Sequence, residues 1–478
     1  MTSATLTAPQ TTPRPRIGAW LAAHAPALVA LLVFALALWP TAVLNDSDTW
    51  WHLAAGDWIV THRAVPHTDP FSWSFAGQPW IAHEWLSEIL LSRAFALCGW
   101  PGVMLLTALA AALAVFLLAR PAACFLSGLP LALLVLGGCA LFAPHFLARP
   151  HILVAPVMVV WFSALARHKG TPPWRILPMM TLWANMHGSF IAGLALIAPF
   201  AIEAVLDATD RPRTAALWSG FLLTGLACAL ITPFGFDGLL FPLRLLTMPG
   251  VDGIGEWSPI DFTKPQPLLI AVLGFAAFWL MRRPRLPVVR TLTLMALLAA
   301  SLHQQRHEML LGLMGVLLLA EPLGQALSQG RFPPPVPLRF SPILAAATVL
   351  LVALRLAVPL ADPVNAGDPA AAIAYARSAH LHGHVLNDYT LGGYLIRAGI
   401  APFIDSRADM YGSAFLDRYS AIANDPAALK AELGHDAIAW TMLKPGSIAA
   451  RTMDSVPGWR RAYVDAAAVI HVRATAGR

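Results

Sequence analysis

Asp46 and Asp48 flank Ser47 at the point where the first long apolar run ends, and Glu84 follows His83 further along the same polar segment. A carboxylate in such a place can take a proton from an attacking group or ligate a divalent cation. The plain alternative is helix capping, because Ser47 or Asp48 could accept from the first free backbone N–H groups. A cap needs one such side chain, and two carboxylates around Ser47 exceed that need. At least one of Asp46 and Asp48 is therefore expected to act in chemistry, with Glu84 as a third acid. His52, His83, His151, His187, His303 and His307 lie between the same apolar runs. They could gather into a metal site, but no HExxH or similar spacing occurs, so a divalent cation stays open. Singly, each reads as a satisfied polar group near a membrane boundary.

These residues must be positioned by a membrane protein. Of 478 residues 57% are hydrophobic and 12% charged, against roughly 25% charged in soluble domains; the mean hydropathy is +0.63. Apolar runs near 25–44, 101–119, 124–143, 151–166, 174–186, 188–206, 214–233, 266–281, 290–302, 308–321 and 341–360 predict about eleven spans. Residues 1–24 form an N-terminal segment and the first run a signal anchor. Residues 25–361 form the membrane domain, and residues 362–478, where charge returns, a small soluble α/β domain.

Orientation follows from charge. With the N-terminus in the cytoplasm, Arg167, Lys169 and Arg175 fall inside, as do Arg282, Arg283, Arg285 and Arg290. The outer loops before the tail keep only Arg63, Arg93, Arg149, Arg244, Lys264 and Arg306. That bias agrees with eleven spans and an external C-terminal domain, and the expected setting is a bacterial inner membrane with that domain in the periplasm. Short basic clusters between apolar runs are topogenic, so the formal charge of +6 does not point to nucleic acid. Cys98, Cys124, Cys139 and Cys228 offer no disulfide framework.

The first outer loop, residues 45–98, is too polar to span and unusually aromatic, with Trp50, Trp51, Trp58, Trp73, Trp80 and Trp85 inside it and Trp100 just after. Trp51, Ala54, Ala55 and Trp58 keep a helical spacing, so 48–61 is expected to be an amphipathic helix lying on the membrane. Ile81, Trp85 and Ile89 predict a second, with turns at Pro66, Pro70, Gly77 and Pro79 between them.

An acidic pair opening a double-helix loop after span one, with another acid near its end, resembles the C-type glycosyltransferase superfamily (GT-C). The branch it looks most like contains the protein O-mannosyltransferases and the lipid A aminoarabinose transferases. The segments ARPHILVAP (148–156), LWANMHGSFIAGL (182–194), ITPFGFDG and IGEWSP (within 231–259), VLNDYTLGGYLI and FIDSRADMYG look like those of bacterial members. The resemblance implies a transferase of hexosyl or pentosyl units from a polyprenyl-phosphate-linked donor to an extracytoplasmic acceptor, with inversion. Asp46 or Asp48 matches the general base. The leaving group would be a lipid phosphate, for which a fixed arginine is suited. Arg306, within His303-Gln304-Gln305-Arg306-His307-Glu308, and Arg149, beside Pro150 and His151, are the candidates. For Arg306 the plainer role is a boundary charge paired with Glu308. Glu256 and Trp257 could line the acceptor entry, and the histidines the substrate site.

No P-loop, Rossmann fingerprint or GxSxG occurs in the sequence, so a nucleotide-sugar donor gains no support. In the tail, 385–389, 402–406, 437–443 and 462–474 read as strands and 368–379 and 425–436 as helices. Asn387, Asp388, Gly392, Gly393, Tyr394, Asp405, Arg407 and Tyr411 crowd two turns there, which either form part of a site or build a folded lid. The competing classes are a transporter of a lipid-linked sugar and a non-catalytic envelope assembly protein. No internal repeat supports transport, and an assembly protein has no need of three acids beside tryptophan-rich helices.

Overall fold

The computed structural model describes residues 17–143, 146–167, 170–249, 257–328, 332, 341–360, 367–435 and 437–474. Its membrane part runs α1 (Ile17–Ala37), α2 (Pro40–Val43), α3 (Asp48–His62), α4 (Trp85–Ala122), α5 (Gly128–Phe142), α6 (Pro150–Arg167), α7 (Leu177–Met186), α8 (Phe190–Ala195), α9 (Ile197–Asp207), α10 (Arg211–Ala229), α11 (Gly235–Leu246), α12 (Pro267–Arg282), α13 (Val288–His303), α14 (Glu308–Ser328) and α15 (Pro342–Ala357). Each of the eleven expected spans falls on a helix. Among the described residues five helical stretches, not eleven, are long and apolar enough to cross a membrane by themselves: Trp20–Ala37, Trp85–Ala122, Pro150–Arg167, Phe190–Asp207 and Gln305–Ser328. Four shorter apolar helices accompany them. The first span ends earlier than expected, at Ala37, because Pro40 lacks an N–H and restarts the chain as α2.

The first loop contains the two expected helices, α3 and the start of α4. A break interrupts α4 at Cys98 and Gly99, which leave helical geometry; Gly99 sits at φ 61°, a conformation open to glycine. The break separates a stretch that packs on α3 from the membrane stretch that follows. The two helices cross closely at Gly56, where any Cβ would collide with the Glu88 carbonyl oxygen. The apolar face of α3 that is expected to meet the membrane meets protein instead. Trp51 and Ala55 are buried against Trp80, Ala82 and Ile396, the last from the C-terminal part. The apolar stripe that reads as lipid-facing is a contact within the protein.

The C-terminal part carries α16 (Ala370–Ser378), β1 (His384–Asn387), α17 (Gly392–Arg397), α18 (Ala408–Asn424), α19 (Pro426–His435), β2 (Ile438–Leu443), α20 (Ile448–Met453), β3 (Trp459–Val464) and β4 (Val469–Arg473). The sheet order is β1-β2-β4-β3, with β1 parallel to β2 and the other pairings antiparallel. A parallel pair needs a long crossover, supplied by α17, α18 and α19. The strand expected over 402–406 does not form. The Asn387 side chain takes those residues instead, accepting from Phe403 N at 2.7 Å and donating to Ile404 O at 2.7 Å.

The loop and this α/β unit form a continuous seam. Trp73 stacks on His384 with ring centroids 4.1 Å apart and donates through Nε1 to Val385 O. Its backbone N–H bonds Pro402 O. At the centre, fully buried Arg407 binds Asp405 through Nε (2.8 Å) and Nη2 (2.7 Å) and Asp69 through Nη1 (2.8 Å). Tyr411 donates to Asp405 at 2.7 Å, and the rings of Trp80 and Phe71 flank the guanidinium. FIDSRADMYG is therefore a docking motif for the first loop.

Candidate functional site

The turn before α6 and the end of the first helical hairpin are stapled by backbone. Ala148 N donates to Val43 O at 2.8 Å, and Thr49 Oγ1 donates to Ala148 O at 3.2 Å. This places Arg149 against the acidic pair. Its guanidinium bonds Asp46 Oδ1 through Nη2 at 3.0 Å and forms a close ion pair with Asp48 Oδ2. Asp46 Oδ1 also accepts from Asp48 N at 2.9 Å. Ser47, the residue before α3, makes no side-chain cap bond. Both carboxylates are thus held by a cation, and Arg149 is their counter-ion in this arrangement.

One helical turn on, His52 shares the face of Asp48 and opens a second cluster around Glu84. His187 Nε2 lies 3.3 Å from Glu84 Oε1, His83 Nε2 3.7 Å from the same oxygen, and His52 Nε2 4.0 Å from Oε2. Glu84 is fixed from behind, since Trp85 Nε1 donates to Asn185 Oδ1 at 2.8 Å and Ser87 Oγ to Met186 O at 2.9 Å. Those bonds dock the HEW turn onto the LWANMHGSF segment. His187 Nδ1 meets the Ser189 hydroxyl at 2.8 Å and the Ser189 backbone N–H at 3.1 Å, which fixes the ring with Nε2 facing Glu84. The His151 ring stands edge-on to His187, with centroids 6.2 Å apart.

Burial shifts these imidazoles toward neutrality. Desolvation holds His52 and His187 well below the ordinary value of 6.5, with Arg149 adding to the effect at His52 and His151 and Arg306 at His187. Desolvation and Arg306 lower His83 to about 4, against a backbone bond to Ile81 that raises it. A histidine with a depressed folded pKa binds fewer protons than the unfolded chain below 6.5, so its contribution to stability is complete above that pH and is lost on acidification. The melting temperature of the purified protein should therefore fall between about pH 6.5 and 4. His83→Asn should flatten that slope, and an unchanged slope would show that the imidazoles are not held neutral.

Arg306 enters from α13–α14. Its guanidinium lies 3.8 Å over the Trp257 ring, and Gln305 N bonds Ser258 O at 3.2 Å. The WSP segment and the QQR turn thus brace one another, and Arg306 is close enough to act on both His83 and His187. His307 is half-buried beside it, while His303 is exposed. Glu256 lies outside the described residues. The structure therefore brings together Asp46, Asp48, Arg149, His52, Glu84, His83, His151, His187, Arg306 and Trp257, and leaves His303 at the rim.

Glu88, Tyr389 and Asp409 were missed in the sequence. Glu88 Oε1 lies 3.4 Å from His52 Nδ1; its spacing of four from Glu84 puts both acids on one helical face and was the available signal. Asp409 is raised to about 6 by desolvation and acts on Glu88 across the seam. Tyr389 is close enough to feel Asp48. Gly393 packs so closely on the loop that a Cβ would sit 2.6 Å from Ser47 O, so the α/β unit roofs the acidic pair directly. Asp409 and Tyr389 have no such signal, because their partners lie more than 300 positions away. Glu84 and its imidazoles have ligand chemistry suited to zinc or another divalent ion. Among the described residues, however, no three His, Cys, Asp or Glu side chains converge closely enough to hold a metal.

No protein-family model and no curated protein sequence matches the chain. Solved structures do. The apo crystal structure of the Archaeoglobus fulgidus oligosaccharyltransferase is similar over 88% of this chain and 69% of its own, with a TM-score of 0.54 at 12% identity. The same enzyme in complex with Zn and sulfate gives 0.51 at 12% identity, over 88% and 67%. Tethered to an acceptor peptide containing the NVT sequon, it gives 0.50 at 11% identity, over 88% and 69%. The chain therefore has the fold of that oligosaccharyltransferase.

Proposed function

We propose that this protein is a membrane glycosyltransferase that moves a sugar from a polyprenyl-phosphate-linked donor to an acceptor on the extracytoplasmic side, with inversion. The observation that carries the reading is the acidic site itself. Three carboxylates, a cluster of near-neutral imidazoles and two arginines meet at one end of the helices, on a fold shared with an enzyme of glycan transfer. We place this end at the periplasmic face of a bacterial inner membrane, with the N-terminus in the cytoplasm and residues 362–478 as a periplasmic domain.

In this reading Asp46 or Asp48 takes the proton of the acceptor as it attacks the anomeric carbon, and Glu84 orients the acceptor through its imidazole neighbours. The leaving lipid phosphate is received by Arg306, and Arg149 balances the acidic pair before the anionic donor arrives. A guanidinium presents five donors in a rigid fork, so Arg149 can keep one carboxylate while meeting a phosphate oxygen. The alternative, a transporter of a lipid-linked sugar, finds no sequence repeat to support it.

Mass spectrometry of glycans, glycolipids, exported proteins and polyprenyl-linked sugars should show one product lost and one lipid-linked sugar accumulating in a strain without the protein. Unchanged pools of both would remove the assignment. On the donor side, Arg306→Ala should weaken binding of the accumulated lipid strongly and Arg306→Lys less, since lysine keeps the charge and loses the planar fork. Equal donor affinity in all three proteins would take Arg306 out of the site.

A further inference from the structure

The far ends of the same helices enclose a second cavity, of about 430 Å³, lined by Glu203, Asp207, Arg285, Arg290, Glu321 and Gln325 among others. The site described above uses the end of α13 and the start of α14; this cavity uses the start of α13 and the end of α14. Arg290 to His303 and Glu308 to Glu321 are each roughly 20 Å of helix at 1.5 Å per residue. That length is most of the ~30 Å hydrocarbon layer. The cavity therefore lies at the opposite membrane boundary.

Its floor is built. Arg290 Nε binds both Glu203 oxygens, at 2.8 and 3.1 Å, and Arg290 Nη2 donates to Ala166 O at 3.1 Å. Around this pair stand three further charges, Arg285, Asp207 and Glu321. Glu321 accepts from Gln325 Nε2 at 3.3 Å. Among the described residues none of the three forms an ion pair. The mouth carries exposed apolar side chains, Val288 at 73% exposure and Leu206 at 56%.

A ligand that complements this arrangement has one anion for Arg285, one cation for the two carboxylates, and apolar chains for the mouth. We propose that the cavity binds a zwitterionic phospholipid whose headgroup carries a phosphodiester and a primary ammonium. The phosphodiester meets Arg285, the ammonium sits between Asp207 and Glu321, and the acyl chains run over α9 and α13. A primary ammonium has three N–H donors for carboxylate oxygens. A quaternary ammonium has none and is recognised by aromatic cages, and among the described residues no aromatic side chain lines this cavity. A headgroup that is only anionic would meet two unpaired carboxylates. The proposal is independent of the reaction at the other face.

The test is native mass spectrometry of the full chain in detergent micelles titrated with phosphatidylethanolamine, phosphatidylcholine or phosphatidylglycerol of matched acyl chains. The ethanolamine lipid should remain bound at about tenfold lower concentration than the other two, the equivalent of one charge-assisted contact. Glycerophosphoethanolamine, the soluble headgroup, should displace it only at far higher concentration, because it lacks the chains. Arg285→Gln with Glu321→Gln should abolish the preference, and Asp207→Asn alone should reduce it. An unchanged melting temperature in lipid-free detergent identifies variants that remain folded. Equal retention of all three lipids, tighter retention of phosphatidylglycerol, or a preference that survives in the folded double variant would each overturn the proposal.

Discussion

Asp46→Asn and Asp48→Asn, made singly, should reach the membrane at normal abundance while product formation falls by about 10²–10⁴-fold in at least one of them. Asparagine caps a helix about as well as aspartate, and its carbonyl oxygen can still accept from the backbone N–H of residue 48, the bond Asp46 makes. Local folding is therefore kept, and what the amide loses is basicity and the charge that faces Arg149. Those two losses can be separated. If ion pairing were the whole role, Arg149→Met would match the loss of the aspartate variants, and the double variant would be no worse than either single one. A general base gives a further loss in the aspartate variants that removing Arg149 does not reproduce. Normal product in both Asn variants would reduce the pair to helix-start chemistry and leave the proposed transferase without its centre.

The largest stability effect is expected at Arg407→Ala, about 3–5 kcal/mol, the usual result of breaking a buried ion cluster by removing one partner. The side chain is fully buried and bonds two carboxylates; without it, Asp69 and Asp405 face each other in a dry seam. Asp69 also holds the turn of the first loop, accepting from Phe71 N at 3.0 Å and Ser72 N at 3.1 Å. The loss should therefore loosen the loop as well as the α/β unit. Thermal unfolding and limited proteolysis of the purified protein read both. Neutralising the carboxylates too, as Arg407→Met with Asp69→Asn and Asp405→Asn, should restore part of the stability, because the remaining penalty is then one of shape. A melting temperature unchanged in Arg407→Ala would show that the seam does not hold the loop.

The membrane class, the two helices of the first loop and most of the elements of the C-terminal part were legible in the residues. Apolar run length and the 3.6-residue period act over a few turns of chain, and both are properties of local sequence. Asp46, Asp48 and Glu84 stood out for the same reason, since carboxylates at the ends of apolar runs are costly unless used or paired. Which surface an apolar stripe meets is not local. Trp51 and Ala55 have the spacing of a lipid-facing helix, yet they bury against Trp80 and Ile396, because hydrophobic burial is non-directional and the pattern is the same for either partner. Likewise 402–406 reads as a strand, but the Asn387 side chain claims its backbone groups. The pairing of Arg149 with the acidic pair, the imidazoles around Glu84 and the roof of Gly393 and Tyr389 were decided only by the tertiary structure. Most of these contacts join residues far apart along the chain, as Arg149 with Asp46 and Gly393 with Ser47 do, and one sequence by itself carries no record of which distant residue fills the other half of each contact.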